Sequence, residues 1–312
     1  MVSRTGKAAI AITVLIAAAI LPLWLPPYFV YLLTELVIWG LVAISLDLLI
    51  GYSGLPSFGH AVFFGVPAYA FGIVATRSES LALALGATLA AMICVSVFVG
   101  YLATRTGGVG YIIVTLLCSF AFFIGTFSWT SLTGGENGLY VPAAMSMESL
   151  SPHVRYLVVL AIGVGVGWFA RWLTKSPYGL VLLGIKANEH RMQAMGYATR
   201  RYKFGITVCA GIIAGIAGVL YAIIVRTLSA DLVGPELSTE IVIWVLSGGV
   251  QTLFGPVLGA ALFISLKQVL NHIPAYPMLL GLFFVAIVAW APAGLVKLPF
   301  LRPSRIRGHE PQ

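Results

Sequence analysis

Apolar positions in this chain do not alternate with polar ones; they come in long, nearly unbroken blocks. Such blocks occupy 8–25, 29–50, 55–76, 81–104, 110–127, 156–173 and 204–225. A helix rising 1.5 Å per residue needs about 20 residues to cross a hydrocarbon layer ~30 Å thick, and each block is close to that length. Between 240 and 270 the apolar pattern is interrupted by Gly248, Gly249, Gln251, Gly255 and Pro256, and a last run occupies 278–295. One uninterrupted helix over 240–270 is longer than a crossing requires, so the interruption predicts two helices joined by a hairpin at 248–256. The pattern predicts an all-α fold, a polytopic transmembrane helical bundle with about 9 to 10 spans, some broken or re-entrant. It is read as one transmembrane domain over 1–312.

Orientation follows from where the basic residues fall, since Lys and Arg beside membrane spans are retained on the cytoplasmic side. With Arg4 and Lys7 inside and each run crossing once, the run at 204–225 ends outside. The tail with Lys297, Arg302, Arg305 and Arg307 belongs inside, so 240–270 enters and returns before the last crossing, with its hairpin on the cytoplasmic side. Of the 18 Lys and Arg, only Arg77, Arg155 and Arg226 then fall outside, and Lys267 is left undecided. The outward segments carry Glu136, Glu148, Asp231, Glu236 and Glu240. Both termini are expected in the cytoplasm. The first run, although it follows two basic residues, is read as a retained span, because no small-residue cleavage site precedes the next one. Trp24, Tyr28, Trp129 and Trp290 sit at span ends, where amphipathic rings anchor at the interface.

Composition removes whole classes of function. Hydrophobic residues make up 60% of the chain and charged ones 9%, a balance that a water-soluble fold cannot bury. The net charge of +8 reflects the inside bias and does not call for nucleic acid. Cys94, Cys118 and Cys209 lie inside apolar runs without paired or metal-type spacing, which leaves neither a disulfide framework nor a zinc site. No G-x-x-x-x-G-K-[ST] loop is present, and no clustered His or carboxylate set or activated nucleophile stands at a spacing suited to catalysis, so a nucleotide site, cofactor or enzyme is not expected in this chain.

The longest polar stretch, 171–203, is where a soluble partner can dock. Ser176-Pro177 reads as an N-cap followed by Pro at the first helical position, and Asn188-Glu189 reads as a second start. Met192 and Met195 are three apart on one face, and Gly196 can end the helix in a left-handed conformation. The expectation is a short amphipathic helix within a cytoplasmic coupling segment, 174–203. The plainer alternative is an ordinary basic loop.

These residues also carry a resemblance. The stretch Leu46-Asp47-Leu48-Leu49-Ile50-Gly51-Tyr52-Ser53-Gly54, then Ser57-Phe58-Gly59-His60-Ala61-Val62-Phe63-Phe64-Gly65 and Ala68-Tyr69, resembles the branched-chain amino-acid ABC permeases of the LivM type. So do Ser176-Pro177-Tyr178-Gly179 through Asn188-Glu189, Ala194, Met195, Gly196 and Tyr202-Lys203, and the glycine-rich blocks at 214–218, 248–249 and 255–260. The likeness extends over nearly the whole chain. It implies a heteromeric importer of a bacterial inner membrane, in which this subunit pairs with a second permease. Two cytoplasmic ATPases carry ATP and Mg, and a periplasmic binding protein delivers the solute. It further implies that Lys186, Asn188, Glu189, Met192, Ala194, Met195 and Gly196 form the ATPase-coupling segment. This chain has Asp47 where the family commonly has Asn, and Leu55-Pro56 also departs from it. Relatives with similar permeases move urea, amides or aromatic acids.

Ionisable groups within spans are costly in lipid and usually face a protein interior or a water path. Glu35, Asp47 and His60, with Ser57 and Gly59 beside them, are the candidate translocation-pathway residues. Asp47 and His60 are close enough in sequence to meet across the Gly51–Gly54 break, either lining a path or bracing broken helices, and Glu35 can sit at the outer interface. The Phe58-Gly59 and Phe254-Gly255 pairs hint at a weak internal repeat. The rival from another class is a gradient-driven secondary transporter using Glu35, Asp47 and His60 as proton carriers.

Overall fold

The computed structural model describes residues 18–297 with the exception of 79, 271, 274 and 291–293. Most of the first expected crossing, 8–25, lies outside the described residues, as do Arg4, Lys7, the tail residues Arg302, Arg305 and Arg307, and the side chains of Trp290 and Lys297. The described chain is helical nearly throughout: α1 Pro27–Asp47, α2 His60–Arg77, α3 Leu81–Ala103, α4 Val109–Ser128, α5 Pro152–Lys175, α6 Pro177–Ala187, α7 Glu189–Ala194, α8 Thr199–Val225, α9 Pro235–Gly248, α10 Phe254–Leu270 and α11 Tyr276–Trp290. Five stretches, Pro27–Ser53, Leu81–Ala103, Val109–Ser128, Pro152–Lys175 and Thr199–Val225, are long and apolar enough to cross a membrane by length and composition. The fold is all-α and polytopic.

The apolar run expected at 29–50 extends to Ser53, because the last turn of α1 opens into a π-helical turn over Leu48–Ser53. Gly54, in the left-handed region at φ 70°, ends it. The next run starts later than its apolar composition suggests. Residues 54–59 are irregular and α2 begins only at His60, inside the bundle rather than at its surface. Burial inside protein is the condition under which non-helical backbone is tolerated at membrane depth.

α2 is the centre of the structure, with buried residues along most of its length and Pro67 within it. α8 packs against α2, α3 and α1, and α10 packs along α1 and against α9. The approach of α8 to α2 depends on small residues: a side-chain carbon at Gly218 would lie 2.0 Å from the Phe64 carbonyl oxygen. Backbones that touch in this way gain van der Waals contact without any driving force from water, the mode available to helices in lipid. Trp39 stacks on Phe64 at 4.9 Å and meets Trp244 edge-on at 5.5 Å, closing the core between α1, α2 and α9.

α3, α4 and α5 turn apolar faces outward, among them Leu83, Phe98, Ile113, Leu117, Trp168 and Trp172. In a water-soluble protein such faces would be a liability; here they suit a hydrocarbon solvent. Trp24, Tyr28 and Trp129, expected as interfacial anchors, are exposed.

The two ends of the bundle differ in chemistry. α8 has 27 residues, which places its termini about 40 Å apart. At its C-terminal end two short strands, β1 Leu139–Tyr140 and β2 Thr227–Leu228, pair antiparallel with Leu139 opposite Leu228. Arg226 ties this end together: its Nε donates to the Val141 carbonyl at 3.0 Å, its guanidinium pairs with Glu148, and it lies over the Tyr140 ring. The basic stretch with α6 and α7 lies at the other end. The hairpin expected at 248–256 is present, with α9 and α10 joined by a turn over 249–253. Lys267, undecided from sequence, pairs with Glu240 at 3.3 Å.

Candidate functional site

The start of α2 gathers Ser57, Gly59 and His60 with residues from three other helices. The first N–H groups of a helix have no partner within it. Here a hydroxyl from elsewhere supplies one of them, as Ala61 N–H donates to Ser238 Oγ at 3.0 Å, and just before the helix Phe58 N–H donates to Thr115 Oγ1 at 3.2 Å. Gly59 allows the approach, since a side-chain carbon there would sit 2.1 Å from the Thr115 carbonyl oxygen. His60 is fully buried, with Nε2 2.6 Å from Ser45 Oγ. Ser45 also donates to the Val42 carbonyl at 2.7 Å. A hydroxyl has one proton; with that proton on Val42, Nε2 carries the ring proton and Nδ1 is an acceptor. Among the described residues neither His60 Nδ1 nor the buried Ser57 Oγ has a hydrogen-bond partner.

Asp47 does not join this cluster. Its Oδ1 accepts the Gln251 N–H at 2.7 Å and its Oδ2 accepts the Leu253 N–H at 3.0 Å. The expected meeting of Asp47 and His60 across the glycine break is therefore replaced by two separate attachments. Helical geometry gives the reason: residues two apart point about 200° away from each other. Ser45 thus takes His60 on one face of α1 while Asp47 takes the α9–α10 turn on the other.

Glu35 accepts the Trp39 indole N–H at 3.1 Å. It lines a cavity of about 780 Å³ together with Trp39, Tyr221, Asp231, Glu236 and Trp244. Glu35 is thus set at the wall of an acidic and aromatic recess, apart from both Asp47 and His60.

At the basic end the expected helix starts are both present. Ser176 Oγ accepts the Gly179 N–H at 3.4 Å at the start of α6, and Asn188 Oδ1 accepts the Arg191 N–H at 2.9 Å at the start of α7. Gly196, at φ 86°, lies just beyond the helix end. Glu189 fastens α7 to the first turns of α8, accepting from Lys203 Nζ at 2.5 Å and from Thr199 Oγ1 at 3.1 Å. Tyr178 adds a bond to the Tyr202 carbonyl at 2.8 Å. Met192 and Met195 do not share a face. Met192 is buried against Gly184, whereas Met195 is 57% exposed, because α7 ends at Ala194 and Met195 belongs to its cap. Asn188, Arg191, Ala194, Met195 and Gly196 are exposed, and Lys186 reaches back to the Gly51 carbonyl at 2.6 Å.

Sequence reasoning missed Ser45 and Thr115, lone hydroxyls in apolar runs, and Ser238, one of several polar residues at 236–240, none of which carries a spacing signal. It also missed the Asp47 clasp, whose partners are backbone groups 204 and 206 residues away. The Glu189–Lys203 pair was within reach as two opposite charges flanking one predicted docking segment.

A helical bundle with apolar outer faces, a broken helix starting in its interior and an ordered polar handle at one end defines a multi-pass membrane protein. The chain belongs to the family of branched-chain amino acid transport system permease components, whose model matches residues 28–290. It is 25% identical over 300 residues to the high-affinity branched-chain amino acid transport system permease protein LivM of Escherichia coli, covering 87% of this chain and 70% of that protein. The corresponding Salmonella typhimurium protein matches to the same extent. The probable branched-chain amino acid transport permease protein LivM of Methanocaldococcus jannaschii is 24% identical over 320 residues, 85% of this chain and 92% of that one. No solved structure matches the chain. The chain is thus a transport component of the branched-chain amino acid ABC importer type.

Proposed function

We propose that this chain forms half of the translocation pathway of an ATP-driven importer for branched-chain or related amino acids in a bacterial inner membrane, with both termini in the cytoplasm. A second permease completes the pathway, two cytoplasmic ATPases holding ATP and Mg drive it, and a periplasmic binding protein delivers the solute. The chain itself is a transport subunit without a nucleotide site. Urea, amides and aromatic acids remain in the substrate class that this type of permease serves.

The observation that carries the reading is the handle at 174–203. A six-residue helix is too short to persist alone in water. α7 is nevertheless capped by Asn188 and fastened to α8 through Glu189, Lys203 and Thr199, while its outer surface is left exposed. Ordering a small helix at this expense of interactions suits an element that receives force from a docked partner. On this reading ATP binding draws the ATPases together, moves the handle and biases the bundle between its two facing states. Selectivity resides in the binding protein. The pathway is lined by small and apolar groups, with Ser57, Gly59 and His60 at the interior start of α2 and Glu35 at the mouth of the recess.

A gradient-driven carrier needs an ionisable group free to exchange its proton with a water path. Both Asp47 oxygens are taken by backbone N–H groups, which counts against that role. The test is uptake of labelled leucine into vesicles containing the chain with its partner subunits and binding protein. Uptake that requires ATP supports the proposal; uptake by this chain alone, driven by a proton or sodium gradient, overturns it.

A further inference from the structure

Three elements far apart in sequence meet at one carboxylate. Asp47 ends α1 and holds the turn between α9 and α10 through the Gln251 and Leu253 N–H groups. That turn has a conformation L-residues rarely adopt unaided: Gln251 and Leu253 have φ of 69° and 59°. The Asp47 oxygens supply acceptors to the two N–H groups that this backbone shape directs inward. One turn beyond Asp47 the π-helical segment ends, and the last carbonyls of a helix lack partners within it. One of them, the Gly51 carbonyl, accepts Lys186 Nζ at 2.6 Å, and Lys186 also attracts the Asp47 carboxylate electrostatically. The node is tightly packed. A side-chain carbon on Gly51 would lie 2.4 Å from Asp47 Oδ1 and 2.9 Å from the Gln251 nitrogen, and Lys186 Cγ would lie 3.0 Å from one on Gly54.

We propose that this node is a mechanical latch, in which Lys186 and Asp47 are positioning residues that carry movement of the coupling segment through the π turn of α1 to the α9–α10 hairpin. The inference rests on the reading of 174–203 as the ATPase-coupling segment. α6 packs directly on the π turn and α10 packs along α1, so a displacement of α6 has a short, bonded route to the hairpin. A polar clasp suits this task better than an apolar contact. Its bonds have fixed directions and either hold or break, which gives the connection two discrete arrangements.

The experiment uses the assembled importer in proteoliposomes with the D47N, K186M and K186R variants. Asn retains one acceptor but presents an NH2 group to the second backbone N–H; Met removes the ammonium while keeping an apolar stem. In D47N and K186M the amount of amino acid moved per ATP hydrolysed is expected to fall about fivefold or more. The backbone amides of Gln251 and Leu253 are expected to exchange faster with deuterium in both variants. K186R is expected to restore both readings. A brace with no part in transmission would change yield or stability and leave the transport-to-hydrolysis ratio at the wild-type value, and that result overturns the latch. Should D47N fail to accumulate, K186M decides the matter, since Lys186 is an exposed residue. Wild-type complex that hydrolyses ATP without ATP-dependent uptake would instead contradict the underlying importer reading.

Discussion

At the start of α2 single atoms decide whether the bundle can close. Gly59 lies against the Thr115 carbonyl with no space for a side-chain carbon, so Gly59→Ala must push α4 away and break the bond from Phe58 N–H to Thr115. The expected outcome is a drop in stability of about 1–3 kcal/mol, read as lower accumulation and a lower melting temperature in detergent. His60 poses a subtler demand. Its one described hydrogen-bond partner is Ser45, so Ser45→Ala leaves an imidazole buried with both nitrogens unpaired, at a cost of about 1–3 kcal/mol. A thermal-shift measurement checks this, and an unchanged midpoint would show that another group serves the ring. The ionisable residues of the spans were recognisable as special from their cost in lipid. Their partners were not, because Ser45, Thr115 and Ser238 each donate back to a carbonyl of their own helix, as Thr34 and Thr88 do, and nothing in the sequence marks that their oxygens also serve another segment.

Among the elements, α7 is the one whose order depends most on a few side chains. Glu189→Ala removes the acceptor for Lys203, a largely buried ammonium, and for Thr199. Loss of a partner to a mostly buried charge costs about 1–3 kcal/mol in this half-exposed setting. The expected outcome is faster proteolytic nicking within 188–199 and weaker retention of ATPase subunits on purification, with span packing unchanged. Glu189→Gln, which keeps an acceptor for Thr199, should recover part of both. The helix starts at Ser176-Pro177 and Asn188-Glu189 were legible because capping is a local interaction between neighbours in sequence. The hairpin at 248–256 was legible because Gly and Pro interrupt an otherwise continuous apolar run. Two features were not. The α2 start at His60 is set by tertiary contacts of α4 and α9, while the apolar pattern alone runs on from Leu55. The separation of Met192 from Met195 follows from where α7 ends, which a three-residue spacing does not specify.

For the whole molecule, the two ends are tied down by different chemistry: a strand pair with Arg226 and Glu148 at one, and the handle with the Asp47 node at the other. Between them the bundle offers small-residue contacts, with α8 laid against α2, and few charged groups. On the proposed reading, a molecule built this way resists deformation within its packed centre and carries motion applied at its handle. The central claim is that an ATPase grips that handle, and Met195, exposed at the end of α7, is where to measure it. A photoreactive crosslinker placed on Met195→Cys in intact cells is predicted to capture a nucleotide-hydrolysing subunit, with a yield that changes when ATP is depleted. Labelling of the same cysteine by a membrane-impermeant thiol reagent added from outside the cell, with no such subunit captured, would contradict the account.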